Sequence, residues 1–255
     1  MTFIQAIILG VIEGVTEFLP ISSTFHLIWG AKLLGLEQTD FLKMFEVVIQ
    51  SGAILAIVAL YFQTIFNLKL WKKVIVSFVP TALVGLVLYK MIKGFFFENF
   101  VLQIAVFVLV GIFFIVYERF NKKTEKTANE ISYKDAVFVG FVQALAVVPG
   151  VSRAGAVIVA MLILGVKREE AAKYSFLLAI PTLMAATLLD LVKSRAVVLD
   201  NIELLLIGLL ASFISAYIVV KWFVSYLSRH DMAIFGWYRL GLALILLISY
   251  SYLLY

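Results

Sequence analysis

The sequence predicts an all-α integral membrane protein with six transmembrane helices and two re-entrant helical hairpins, arranged as an inverted-topology repeat. Hydrophobic residues make up 64% of the 255 residues, the mean hydropathy is +1.07, and only 15% of residues are charged. A soluble domain carries about a quarter charged residues, so this composition indicates a membrane protein. Six long apolar segments and two apolar regions broken by proline set the number and kind of elements.

Six apolar segments are long enough to cross the membrane. A helix needs roughly 20 residues to span about 30 Å of hydrocarbon. The segments lie near 42–64, 74–92, 99–119, 170–193, 202–226 and 232–254. We expect each of them to form one spanning helix.

Two further regions, 3–35 and 134–165, have a different pattern. Each contains two apolar arms that are too short to span, separated by polar residues and by Pro20 or Pro149. Proline cannot continue a helix, whereas the serines that follow it suit a new helix start. Non-helical backbone at membrane depth is tolerated where protein or water surrounds it. We therefore predict a re-entrant hairpin in each region, with the polar groups gathered at the break.

The two halves of the chain repeat. Gly10 to Glu13 aligns with Gly140 to Gln143, and Pro20 to Ser22 aligns with Pro149 to Ser152 once a gap of one residue is allowed. Apolar segments can resemble one another by composition alone, but composition does not dictate these glycine, Glu/Gln and Pro/Ser matches. Each half then holds one hairpin and three spans, and because three is odd the second half enters from the opposite face. The chain is one membrane domain, 1–255, made of repeat one (1–118), a hydrophilic linker (119–133) and repeat two (134–255).

Lysine and arginine positions indicate the orientation. They are more numerous in the loops of one face, at 69–73, 119–134, 167–173 and 229, than on the other, at 32–43, 90–93 and 193–195. The positive-inside rule places the first face in the cytoplasm, so both termini and the mouth of the first hairpin lie outside. The net charge of +5 is then a topology signal, and we expect membrane lipids rather than nucleic acid as partners.

The first break is rich in polar groups for a membrane segment. Ionisable groups at membrane depth are costly unless they are paired, hydrated or metal-bound, so they mark a functional site by default. Two adjacent carboxylates on one helix face need a cation or a shared proton. A serine and a histidine three residues apart in an opening helix are expected within hydrogen-bond reach. The candidate residues are Glu13, Glu17, Ser22, Ser23, Thr24 and His26.

The second break contributes an arginine. Arg153 follows Ser152 at a Pro-Gly break, just ahead of an apolar helix. A guanidinium group binds phosphate oxygens in a bidentate way, and the start of a helix offers free backbone N–H donors. Snorkelling to the interface is the alternative, but Arg153 is isolated from other charges, which favours a buried functional role.

Together the two breaks predict one intramembrane cavity for an anionic phosphate. Beside such a phosphate the paired carboxylates need a hard divalent cation, Mg²⁺ or Ca²⁺, for which Glu13 and Glu17 are the candidate ligands. The chemistry is metal-assisted hydrolysis of a phosphoester or phosphoanhydride, with Ser23, His26 or water as the attacking group. A transporter of an anionic lipid needs much the same groups, and a channel or scaffold is the third alternative.

Two motifs resemble those of the undecaprenyl-diphosphate phosphatase family, once called bacitracin-resistance proteins. They are Glu-x-x-x-Glu-Phe-Leu-Pro-x-Ser-Ser-Thr-x-His at 13–26 and Pro-Gly-x-Ser-Arg at 149–153; the stretches 45–50 and 176–181 are also similar. The resemblance implies a multi-pass enzyme of the bacterial inner membrane that removes the terminal phosphate of undecaprenyl diphosphate at the outer face. It also implies a divalent cation, a role in recycling the lipid carrier of cell-wall synthesis, and an inverted repeat with re-entrant helices. A homodimer is left open.

The same resemblance assigns roles to individual residues. Glu13 and Glu17 match the acidic pair that serves the metal and proton transfer, His26 matches the essential histidine, and Arg153 matches the phosphate-binding arginine. The hydroxyls that match substrate contacts are those of Ser22, Ser23 and Thr24, with Ser152 beside them in the second motif.

Three positions near these motifs depart from the family pattern. Ala154 and Val157 stand where hydroxyl residues are usual, and Phe25 stands where glycine is usual. These changes remove two hydrogen-bonding groups near Arg153 and add bulk beside His26. We expect them to affect catalytic efficiency or substrate range.

Overall fold

The computed structural model describes residues 1–96, 99–120, 125–193 and 201–253. Helices dominate this part of the chain, and no β-strand occurs within it. The α-helices are α1 (Phe3–Thr16), α2 (Ser23–Leu33), α3 (Asp40–Leu60), α4 (Phe62–Ile65), α5 (Leu68–Phe96), α6 (Phe100–Phe120), α7 (Tyr133–Ala144), α8 (Arg153–Ile163), α9 (Arg168–Lys193), α10 (Ile202–Leu227) and α11 (Ala233–Leu253). Short 3₁₀ turns lie at Ala128–Glu130 and Leu145–Val147.

Five of the described helices are long and apolar enough to cross a membrane, which confirms a helical, multi-pass membrane protein. They are α3, α5, α6, α9 and α10. The sixth predicted span, 232–254, corresponds to α11 (Ala233–Leu253), of which the stretch Ala233–Ser249 counts among the shorter apolar helices. The predicted start of α5 at residue 74 was wrong: the helix begins at Leu68, where the Asn67 side chain accepts the Leu70 N–H at 3.2 Å. Three of the basic residues on which the predicted orientation depends, at 122, 123 and 195, lie outside the described residues.

The outward faces of these helices suit a lipid environment. Large apolar side chains are exposed on several of them. Such a surface is unfavourable in water and is typical of helices that face lipid. Examples are Leu86 (70% exposed) on α5, Leu109 (65%) on α6 and Ile218 (62%) on α10.

Both predicted breaks are present, and each leads into a helix start. After the first break, α2 begins at Ser23, and Ser22 just before it has a φ of +68°, the left-handed region that favours glycine. After the second break, α8 begins at Arg153, and the Ser152 hydroxyl accepts the Gly155 N–H at 3.1 Å as an N-cap. Gly150 supplies the positive φ (+99°) that this turn requires.

The broken segments pack reciprocally on the opposite halves of the chain. Helix α1 lies against α10, and a Cβ added at Gly10 would come within 2.3 Å of the Gly208 carbonyl oxygen. Helix α7 lies against α5, and a Cβ at Gly140 would come within 2.2 Å of the Ser77 carbonyl oxygen. Small residues let apolar helices approach to backbone contact, as membrane helix pairs commonly do. The matched glycines of the two halves therefore make equivalent contacts, and the two breaks are brought together.

Candidate active site

A pocket lies between the two breaks and is lined from both halves of the chain. Glu17, Ser22, Ser23 and Thr24 come from the first half, and Ser152 and Arg153 from the second. Six of the eight predicted site residues therefore share one cavity. Glu13 and His26 lie outside its lining, and their roles stay predictions.

Arg153 and Glu17 form an ion pair across the pocket. Arg153 Nη2 donates to Glu17 Oε1 at 2.8 Å, and Nη1 donates to the Ser175 carbonyl at 2.9 Å. The exposed fractions of the two side chains are 11% for Arg153 and 4% for Glu17. The other oxygen of the same carboxylate, Glu17 Oε2, accepts a short hydrogen bond from the Ser23 hydroxyl. One carboxylate thus holds both the cationic guanidinium group of Arg153 and the hydroxyl of Ser23.

Ser152 connects the two breaks directly. Its hydroxyl donates to the Leu19 carbonyl of the first break at 3.2 Å while it caps α8. The N-termini of α2 and α8 therefore meet at the pocket. The first-turn N–H groups of a helix have no partner within it, so two such ends suit an anion.

Glu13 lies beneath Glu17, one turn earlier on the same helix face. It is fully buried, and neither of its carboxylate oxygens has a hydrogen-bond partner. A buried carboxylate without a partner is unstable as an isolated charge. An orphaned acid beside a second acid fits a hard cation or a bound proton. Within the described ranges, no group of three or more acidic or histidine side chains is placed to hold a metal ion.

His26 is directed away from the pocket. Its Nδ1 lies 2.8 Å from the Ser22 carbonyl, and its Nε2 lies 2.8 Å from the Tyr238 hydroxyl, with the two rings stacked. The predicted contact between Ser23 and His26 was therefore wrong. The Tyr238 hydroxyl of α11 binds the imidazole, whereas the Ser23 hydroxyl donates to Glu17. Because a carbonyl only accepts, Nδ1 carries a hydrogen, so in the neutral ring Nε2 accepts from Tyr238.

The three departures from the family motifs lie behind the pocket. Phe25, Ala154 and Val157 are completely buried, and none of them lines the cavity. Phe25 stacks on Phe107 with ring centroids 4.1 Å apart. These three side chains therefore pack behind the site and contribute nothing to its polar lining.

The pocket is also lined by polar groups that the sequence analysis did not assign to it. Gln143 Nε2 donates to the hydroxyls of Thr81 (2.8 Å) and Thr182 (3.2 Å), while its Oε1 has no partner. Gln50 of α3 also lines the cavity. The repeat offered one signal, since Gln143 occupies the position that matches Glu13.

Arg239 on α11 is the other functional candidate that the sequence analysis missed. It is completely buried, and its guanidinium group donates to main-chain carbonyls of both breaks. A single charge inside the predicted span 232–254 was the available signal, because charges at membrane depth are rarely incidental.

Comparison with known proteins gives a consistent result over nearly the whole chain. The family model described as bacitracin resistance protein BacA matches residues 6–245. The undecaprenyl-diphosphatase of Aquifex aeolicus is 45% identical over 249 residues, which cover 96% of this chain and 97% of the relative. That of Campylobacter hominis is 48% identical over 252 residues (95% and 97%), and that of Persephonella marina is 46% identical over 253 residues (97% and 99%). The chain therefore belongs to the bacitracin resistance protein BacA family.

Proposed function

We propose that this protein hydrolyses undecaprenyl diphosphate to undecaprenyl phosphate and inorganic phosphate, which recycles the lipid carrier of cell-wall synthesis. The observation that carries the proposal is the pairing of Arg153 and Ser23 on the two oxygens of Glu17 in one pocket. The relatives named above carry the name of this activity.

Arg153 binds the terminal phosphate. An incoming diphosphate competes with Glu17 for the guanidinium group, and charge-assisted bonds to phosphate are among the strongest that proteins make. The N-termini of α2 and α8 add backbone donors at the same place. These groups also stabilise the charge that develops on the phosphoryl oxygens during transfer.

Glu17 and Ser23 carry out the proton transfer and the attack. Among the three attacking groups that the sequence left open, the geometry favours Ser23, because the carboxylate that accepts its hydrogen bond can take its proton. The Ser23 oxygen forms a bond to the terminal phosphorus, and the bond from that phosphorus to the bridging oxygen breaks. Undecaprenyl phosphate leaves with that oxygen and its electron pair. Water then attacks the phosphoserine phosphorus, the bond from that phosphorus to the Ser23 oxygen breaks, and inorganic phosphate leaves. One proton of that water restores the Ser23 hydroxyl, and Glu17 releases the proton that it took to solvent.

Glu13 and Glu17 are the residues that would hold a divalent cation, Mg²⁺ or Ca²⁺. The unpartnered, buried carboxylate of Glu13 fits this assignment. When bound, the cation supplies positive charge that offsets the diphosphate and both carboxylates.

The proposed topology is an inverted repeat of residues 1–118 and 134–255, with three spans and one re-entrant hairpin in each half. The reciprocal packing of α1 on α10 and of α7 on α5 supports it, because a twofold relation between the halves produces such pairs of contacts. The basic residues favour an outward-facing site in the bacterial inner membrane.

Phosphate release from a C55 diphosphate by the purified protein tests the function. We expect release by the wild type and strong loss in Arg153→Ala. A flippase of a polyprenyl phosphate moves lipid without liberating phosphate. Transport by the wild type with no phosphate release would therefore contradict the proposal.

A further inference from the structure

Arg239 contacts the two breaks at equivalent positions. Its Nε donates to the Pro20 carbonyl at 2.9 Å, and its Nη1 donates to the Gly150 carbonyl at 2.9 Å. Pro20 lies two residues before Ser22, and Gly150 lies two residues before Ser152. One guanidinium group thus links the two backbone segments that immediately precede α2 and α8, the helices whose N-termini form the pocket.

The surroundings of Arg239 are built to hold a cation without a carboxylate partner. The side chain is 0% exposed, and it forms no ion pair among the described residues. Its guanidinium carbon lies 4.7 Å from the ring centroid of Phe107 and 5.3 Å from that of Phe114, both on α6. Cation–π contacts of this kind offset part of the cost of burying the charge. A charge retained at such cost indicates a function.

The carbonyls that Arg239 binds lie in turns, where no helical N–H group is available to donate to them. Pro20 and Gly150 belong to the turns between α1 and α2 and between α7 and α8, and both residues are buried. A buried carbonyl without a donor destabilises the folded state. Arg239 satisfies both at once because its planar fork presents several donors in a fixed geometry.

We infer that Arg239 is a positioning residue that holds the two breaks in fixed register, so that Glu17 and Ser23 of the first face Arg153 of the second. This inference rests on the proposed function for its catalytic consequence. Arg239 does not line the pocket, so it acts through the backbone at Pro20 and Gly150 rather than on the substrate. Lysine concentrates its charge on one nitrogen and cannot reproduce the fork.

Two variants test the inference. Arg239→Met keeps an extended side chain and removes every donor, whereas Arg239→Lys keeps the charge. Hydrogen–deuterium exchange of peptides that cover 17–24 and 148–155 reports on both breaks without any need for activity. In Arg239→Met we expect faster exchange at both breaks and a fall in kcat of about 10-fold or more, with a smaller change in KM, as misalignment of reacting groups produces. We expect Arg239→Lys to restore exchange and kcat only in part.

A matched control uses an arginine that is remote from the breaks. Arg168 is paired with Glu118 outside the pocket, so Arg168→Met should alter exchange at neither break. Unchanged exchange in Arg239→Met, or faster exchange at one break alone, would overturn the bridging role. If neither Arg239 variant folds, Arg239 serves the stability of the fold and the positional role is rejected. If the wild type releases no phosphate, the proposed function fails, while the exchange data still decide whether the bridge exists.

Discussion

Arg153 Nη2 donates to Glu17 Oε1 over 2.8 Å, which joins two residues that are 136 positions apart in the chain. Both side chains are largely buried, and the removal of one partner from a buried pair commonly costs about 3–5 kcal/mol because the other charge is left unpaired. The pair therefore preforms the site. It also separates the roles of the two acids, since Glu17 has a cationic partner and Glu13 has none.

Replacement of Arg153 should impair turnover even when the charge is kept. In the structure its two terminal nitrogens bind different acceptors, the Glu17 carboxylate and the Ser175 carbonyl. Lysine cannot hold this geometry and bind phosphate as a fork. We expect kcat to fall by about 10²-fold or more in Arg153→Ala, as the loss of a transition-state donor typically does, and by a smaller but large factor in Arg153→Lys.

Steady-state kinetics on folded protein, with Arg168→Lys as the control, measures this effect. The fall in kcat should exceed the rise in KM if the arginine acts on the transferring group. Near-normal turnover in Arg153→Lys would show that Arg153 acts only through its positive charge.

Removal of divalent cations should abolish activity. Once the substrate draws Arg153 away from Glu17, two carboxylates and a diphosphate share a buried site without enough positive charge. We expect excess EDTA to stop phosphate release, and Mg²⁺ or Ca²⁺ to restore it. A ligand that binds the folded state raises its stability, so either cation should also raise the melting temperature of the wild type.

Glu13→Gln is the matched variant for the cation site, because it keeps the size of the side chain and removes its charge. The cation-dependent rise in melting temperature should be smaller in this variant than in the wild type. Full activity of the wild type in excess EDTA would contradict the requirement for a divalent cation. If the cation raises the melting temperature of Glu13→Gln as much as that of the wild type, Glu13 does not bind the cation.

Local sequence signals predicted the helix starts at the pocket. Helix α1 ends at Thr16, ahead of Pro20, and α7 ends at Ala144, ahead of the Pro149-Gly150 pair. The serine before Arg153 caps α8 as expected. The meeting of Glu17 with Arg153 followed from the internal repeat, since neighbouring residues alone say nothing about a contact across half the chain.

The direction of the side chains could not be predicted in the same way. His26 turns from Ser23 because its partner, Tyr238, lies 212 residues further along the chain. Arg239 escaped notice for a similar reason: its acceptors are backbone carbonyls, which leave no mark in the sequence. Contacts of both kinds depend on the packing of α11, which no local pattern specifies.

Phe25→Gly should destabilise the protein, although glycine is usual at this position in related motifs. Phe25 is fully buried and stacks on Phe107, so its removal leaves a cavity. Large-to-small changes of buried aromatic residues cost about 3–5 kcal/mol. We expect a clearly lower melting temperature in detergent, and a smaller loss in Phe25→Leu. An unchanged melting temperature together with faster turnover would mean that Phe25 hinders the site instead.

Tyr238→Phe should slow turnover modestly through His26. The substitution removes the hydroxyl that lies 2.8 Å from His26 Nε2 and keeps the stacked ring. A net hydrogen bond of about 1 kcal/mol corresponds to roughly a fivefold change in rate if it is lost only in the transition state. Because the imidazole then loses the partner that fixes its orientation, the pH–rate profile should shift as well. Trp237→Phe is the control, since Trp237 is a neighbouring aromatic residue that is 62% exposed. Equal kinetics and identical pH profiles for the wild type and Tyr238→Phe would show that His26 contributes nothing through this contact.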